Sequence, residues 1–110
     1  GNRNMADHRH VGVAALDAGR DAANPWLFRT DDGPAAWSGV RFALVAGSSD
    51  STHFVDVSDE LELAVASLEA HVRYLEHVGT DARTFLTSIA EQVGQASGVR
   101  YATSFELVTL

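Results

Sequence analysis

Residues 58–79 read SDELELAVASLEAHVRYLEHVG and contain the clearest structural pattern in the chain. Apolar side chains recur there in steps of four and three residues, which places them along one face of an α-helix. Ser58 is the predicted N-cap, acidic residues follow in the first turn, where the helix dipole favours them, and Gly79 is the predicted end. The apolar face consists of Leu61, Val65, Leu68, Val72 and Leu75.

Further helices and strands are predicted on both sides of this helix. After it, Thr80 is the predicted cap of a helix that Gly98 closes, and residues 101–110 alternate in the manner of a strand. Before it, residues 40–46 and 52–57 are predicted strands, with glycine, serine and aspartate forming the turn between them. These elements predict a sheet packed against helices.

The first predicted helix spans residues 7–23, with Asp7 as its N-cap. Asn24-Pro25 ends it, because the residue before proline is pushed out of the helical region. An apolar anchor follows at residues 26–28, and its Trp26 is predicted to pack in a core together with Trp37. The order helix, strand, strand, helix, helix, strand predicts part of a layered α/β domain. The polar start of the chain, with no initiator methionine, predicts a cut made inside a longer protein.

The composition excludes several classes of protein. Hydrophobic residues make up 45% of the 110 residues and charged residues 21%, as in an ordinary globular domain. The net charge is -7, lysine is absent and the arginines are scattered, which argues against nucleic-acid binding. No apolar run reaches the roughly 18 residues of a membrane span, so no membrane partner is expected. Cysteine is absent, which excludes disulfides, and we expect a cytoplasmic protein.

Residues 7–10, Asp-His-Arg-His, place one carboxylate and two imidazoles at the start of the first predicted helix. Both groups are ligands that zinc accepts. His8 and His10 diverge by about 200° around a regular helix, so they do not bind the same ion. His8 shares the face of Val11 and is predicted to point toward the core, whereas His10 points to solvent. From spacing alone, His8 is either a structural histidine or a metal ligand.

His71 lies beside the apolar face of the central helix, three residues after Leu68 and four before Leu75. It is therefore either a boundary histidine that hydrogen-bonds to the backbone or a residue of a functional site. His77 is close to the predicted helix end, where the dipole favours a cation.

As a set, these residues resemble the LmbE-like, or PIG-L, family of N-acetylglucosaminyl deacetylases. Residues 5–12, MADHRHVG, and the small residues of 14–18 resemble the family's second motif, His-Pro-Asp-His followed by a helix. The resemblance covers almost the whole chain. Its later parts are residues 20–28, 55–58, 67–71 and 98–105.

The resemblance implies that residues 1–110 are the C-terminal part of one Rossmann-like, three-layer α/β/α deacetylase domain. It implies a Zn²⁺ ion held by His8 and by a histidine and an aspartate of an N-terminal motif that these residues lack. Asp7 is then a catalytic-site group that orients its neighbours. The motif histidine that stabilises the oxyanion in the family falls on Met5, whose thioether donates no hydrogen bond. His10 and His71 are the candidates to replace it.

The activity that the resemblance implies is metal-assisted hydrolysis of an N-acetyl amide on an amino-sugar conjugate or a similar small molecule. The general base and two ligands belong to the missing motif, so we expect these residues alone to be inactive. Apolar sheet edges predict poor solubility or a homo-oligomer. The alternative is a non-catalytic binding or interaction module, either a degenerate member of the family or an unrelated small α/β domain.

Overall fold

The computed structural model of the protein describes residues 5–27 and 29–110. Phe28, which the sequence assigns to the apolar anchor after the first helix, lies outside these ranges. Helices and strands are mixed along the chain, as the sequence pattern predicts. In chain order the elements are α1 (Ala6–Asp21), β1 (Phe42–Ala46), β2 (His53–Asp56), α2 (Leu61–Glu69), α3 (Val72–Val78), α4 (Ala82–Ser97) and β3 (Ala102–Thr109).

The chain divides into two compact units. The first takes in the chain up to Val45 together with Leu107–Leu110, and the second is Ala46–Glu106. The three strands form one sheet in the order β1-β3-β2. β2 runs antiparallel to β3, with His53 opposite Phe105 at one end of the ladder.

The core of the second unit lies where α2 packs against α4. Leu61 and Val65 contribute the buried side chains of α2, and Ala82 and Ala90 contribute those of α4. Alanine side chains are short, so the two helices approach closely and the larger side chains of α2 fill the space between them. Partly buried residues extend this core: Leu68, Leu75, Leu86 and Tyr101.

The prediction of one continuous helix over residues 58–79 is wrong, because the structure has two helices there. The break lies at His71, whose φ of -92° and ψ of 58° are outside the helical region. Val72, which a continuous helix would place on the apolar face, is 58% exposed. The break therefore turns one predicted core residue toward solvent while Leu75 still packs against the core.

The predicted caps of the central and the following helix are also wrong. Glu60 is the N-cap of α2, because the Ser58 hydroxyl donates to Oδ1 of Asp56 at 2.6 Å and accepts the Tyr101 amide at 3.2 Å. Asp81, not Thr80, caps α4. The predicted glycine ends are confirmed: the residues after α3 and α4 are glycines in the left-handed conformation, with φ of 71° and 75°.

Helix α1 agrees with the predicted first helix in position but not in packing. None of its residues is buried, although at Gly19 an added Cβ would lie 2.8 Å from Cδ1 of Leu110. Trp26 and Trp37 are 76% and 63% exposed, so their predicted core packing is wrong. Across residues 5–27 and 29–110, no helix combines the length and the apolar character that crossing a bilayer requires.

Candidate functional site

The first turn of α1 carries the residues that the sequence assigns to a metal site. The helix begins at Ala6 with Met5 as its N-cap, so the prediction of Asp7 as N-cap is wrong. Asp7 lies inside the first turn, where its Oδ1 accepts the backbone N–H of His8 at 2.9 Å. A carboxylate at this position also interacts favourably with the positive end of the helix dipole.

The side chains of Asp7, His8 and His10 are all exposed. The prediction that His8 faces the core is therefore wrong, because α1 buries none of its residues. An exposed imidazole in the first turn of a helix presents its ring nitrogens to whatever approaches that end of the helix. The geometry thus leaves His8 accessible to a ligand, and it places Asp7 next to it.

A complete metal site does not form within residues 5–27 and 29–110. No three histidine, cysteine, aspartate or glutamate side chains lie close enough together there to hold an ion. A catalytic zinc ion takes three protein ligands and leaves one position open. A zinc ion at His8 therefore needs ligands from beyond these residues.

His71 belongs to the second unit and lies at the break between α2 and α3. Its Nδ1 is 3.0 Å from the carbonyl oxygen of Ser67. A carbonyl only accepts hydrogen bonds, so this geometry places a hydrogen on Nδ1 and leaves Nε2 as an acceptor in the neutral ring. His71 is exposed and lines a depression of about 470 Å³ with Leu68, Tyr74 and Phe85.

The other histidines have local roles. Nδ1 of His53 is 2.8 Å from the Thr52 hydroxyl in β2, and His77 is in the last turn of α3, where the dipole favours a cation. Of the predicted site residues, the structure places Asp7 and His8 side by side in the first unit, whereas His71 belongs to the second.

Hydrogen bonds lower the pKa values of three carboxylates of the second unit. The Ser58 hydroxyl lowers the pKa of Asp56, the bidentate Arg83 guanidinium lowers that of Glu62, and the Thr84 amide lowers that of Asp81. A general base that acts near neutral pH needs a pKa raised toward neutrality. These groups stabilise the fold and are not suited to catalysis.

Sequence reasoning did not find a pocket of about 460 Å³ at the C-terminal end of α1. Its walls include Asp21, Asn24, Arg29 and Trp37. The signal in the sequence was Trp37 beside a polar loop, a pattern that predicted core packing. An exposed indole among polar side chains is instead typical of a binding surface.

No family model matches the chain, and no curated protein matches it. The resemblance to the LmbE-like deacetylases therefore rests on the residues of the motifs themselves, chiefly 5–12. Within those residues, the structure places His8 exposed at a helix start.

Proposed function

We propose that these residues are the C-terminal part of a cytoplasmic, zinc-dependent amide hydrolase with a Rossmann-like α/β/α deacetylase domain. The observation that carries the proposal is the motif of residues 5–12, which begins a helix and leaves His8 exposed in the first turn. The substrate is an N-acetyl amide on an amino-sugar conjugate or a similar small molecule.

In this proposal His8 is one zinc ligand, and the other ligands come from outside the 110 residues. When bound, zinc supplies Lewis-acid polarisation of the amide carbonyl. Asp7 is a positioning residue. Its carboxylate accepts a hydrogen bond from the His8 backbone amide and so stabilises the first turn, from which the imidazole projects.

The proposal is tested by the zinc content of the full-length protein and of two single variants. We expect His8→Ala to lose bound zinc and His10→Ala to keep it, because the two rings point to different sides of α1. Both residues are exposed, so each variant should retain the helical circular dichroism of the parent. Equal zinc in His8→Ala and in the parent protein would show that the ligand assignment is wrong.

A non-catalytic interaction module is the second candidate, and a specific observation favours it. Met5, Val11 and Val13 on α1 are 74%, 68% and 60% exposed, an amount of exposed apolar surface that suits binding to another protein. The coding sequence discriminates between the two candidates. A His-Pro-Asp-Asp segment within the preceding ~150 residues, about one domain length, supports the hydrolase, and its absence supports the module.

A further inference from the structure

The pocket at the C-terminal end of α1 is formed by the helix end and the loop that follows it. The Asn24 amide donates to the Asp21 carbonyl at 2.8 Å, which closes the turn after the helix. The Trp37 amide donates to the Ala22 carbonyl at 2.7 Å, which ties the far end of the loop back to the helix. Two backbone hydrogen bonds therefore hold the walls of the pocket in place.

The polar wall of the pocket offers both donors and acceptors. Oδ1 of Asn24 accepts the Trp26 amide at 2.9 Å, which fixes the orientation of the side chain and leaves its NH₂ group to donate. Asp21 supplies a half-buried carboxylate that accepts, and Arg29 supplies a guanidinium that donates. The Arg29 guanidinium is itself held over the Trp26 ring, 5.5 Å from its centroid.

Trp37 supplies the apolar wall. A Cβ at Gly39 would overlap the Trp37 ring, so the indole lies directly over the backbone of that glycine. Trp37 is nevertheless 63% exposed, and it lines the pocket. A large aromatic surface is therefore presented to solvent beside planar polar groups. Glycine is needed at position 39, because a side chain there would overlap the ring.

We propose that this pocket binds a pyranose ring of a carbohydrate. A pyranose has an apolar face of C–H groups, which packs on an aromatic ring, and a rim of hydroxyls that both donate and accept. Carboxylate, amide and guanidinium groups beside one exposed indole match both parts of that ligand. The volume of about 460 Å³ falls within the range of small-molecule sites. An anionic ligand fits less well, because the repulsion by Asp21 opposes the attraction by Arg29.

The pocket is separate from the proposed zinc site. Thirteen positions separate His8 from Asp21 along α1, and at a rise of 1.5 Å per residue they are about 20 Å apart. The pocket therefore suits a sugar ring remote from the amide that is cleaved. The choice of an acetylated amino sugar as ligand rests on the proposed function, whereas the fit of the pocket to a pyranose does not.

The protein contains two tryptophans, one in the pocket and one outside it, so indole ¹H–¹⁵N NMR signals provide an internal control. The probe is N,N′-diacetylchitobiose, titrated to about 10 mM because a weak site has a Kd in the millimolar range. We expect the Trp37 signal to shift saturably and the Trp26 signal to shift much less. Trp37→Phe and Trp26→Phe assign the two signals.

Asn24→Asp is the decisive variant, because it keeps the acceptor for the Trp26 amide and removes the NH₂ donor, while the negative charge that it adds faces a sugar without charge. We expect it to raise the Kd about tenfold, which corresponds to the loss of one hydrogen bond. Gln95→Ala, which removes an exposed amide in the second unit, should leave the Kd unchanged. Equal Kd values for Asn24→Asp and the parent would overturn the assignment of this pocket.

Two further outcomes would overturn the proposal: no Trp37 shift with the sugar, or an equal response to adenosine, which would indicate general aromatic stacking. His8→Ala separates this proposal from the zinc site. If His8→Ala keeps its zinc while Trp37 still responds to the sugar, the hydrolase proposal fails and the pocket remains. If His8→Ala abolishes the sugar response, the pocket is not the binding site.

Discussion

Asp81 shows how one side chain sets the start of a helix. Its Oδ1 accepts the backbone N–H of Thr84 at 2.8 Å and so satisfies one of the amides that the first turn of α4 leaves unpaired. We predict that Asp81→Ala lowers the midpoint of thermal unfolding, because alanine leaves the Thr84 amide without this acceptor. Circular dichroism at 222 nm during heating measures the change.

Thr80→Ala is the matched control for this prediction. It removes the hydroxyl that the sequence pattern assigned to the cap, and it leaves the bond between Asp81 and Thr84 intact. Its unfolding midpoint should stay close to that of the parent. A larger loss in Thr80→Ala than in Asp81→Ala would mean that the cap is assigned to the wrong residue.

Residue identity alone predicted the types of capping groups but not their positions. Ser58 has a good capping side chain, yet its hydroxyl is used by Asp56 and by the Tyr101 amide, 43 residues away in sequence. That competition depends on a tertiary contact, which no local pattern contains. The same limit applies to His8: the pattern around it identified a helix start and a candidate ligand, but not that the ring would be exposed.

At the scale of elements, the positions of α1, α4 and the strands follow from local pattern to within about two residues. The break between α2 and α3 does not, because the apolar spacing continues across it. Leu68 and Leu75 both pack against the core, and only Val72 between them is turned outward. Periodicity indicates which side chains avoid water. A short break that keeps most of these side chains in the core leaves the spacing of the apolar residues almost unchanged.

Two glycines inside 16-residue helices are expected to respond oppositely to the same substitution. Around Gly12 in α1, an added Cβ meets nothing within 4 Å, so Gly12→Ala should stabilise by roughly 0.5–1 kcal/mol through helix propensity. At Gly94 in α4, a Cβ would lie 2.6 Å from the Arg100 carbonyl oxygen. Backbone does not yield easily, so Gly94→Ala should destabilise by about 1–3 kcal/mol.

Urea unfolding of the two variants measures this contrast, with circular dichroism as the probe. The propensity gain is common to both, so the difference between them isolates the close approach of α4 to residues 99–100. Stabilisation by both variants would show that α4 does not pack this closely against that segment.

At the scale of the whole molecule, the apolar sequence pattern predicts buried residues correctly in the second unit but not in α1 of the first unit. The core of the second unit consists largely of residues that the apolar pattern identified, among them Leu61 and Val65. In the first unit, α1 shows an apolar pattern but buries nothing. A pattern indicates which face of a helix avoids water, and it does not specify what covers that face. For the same reason, residues 5–12 predict His8 as a candidate ligand but do not predict which other residues would accompany it.

Acid should destabilise the second unit through three carboxylates whose pKa values are lowered in the folded protein: Asp56, Glu62 and Asp81. Their unfolded pKa values are about 3.9 for aspartate and 4.3 for glutamate. The unfolded chain therefore takes up protons first as the pH falls. The stabilisation is complete above these unfolded values and is lost as the pH falls through the lower folded values.

We predict that the free energy of unfolding, measured with urea between about pH 6 and pH 2.5, is nearly constant at first and falls below about pH 4. The variant with Asp56→Asn, Glu62→Gln and Asp81→Asn keeps the oxygen that accepts from Ser58, the oxygen that accepts from Thr84 and one of the two that accept from Arg83, but these side chains do not titrate. Its acid slope should be clearly smaller than that of the parent. An unchanged slope would assign the acid response to carboxylates outside these three contacts, since the amide groups remove the protonation step.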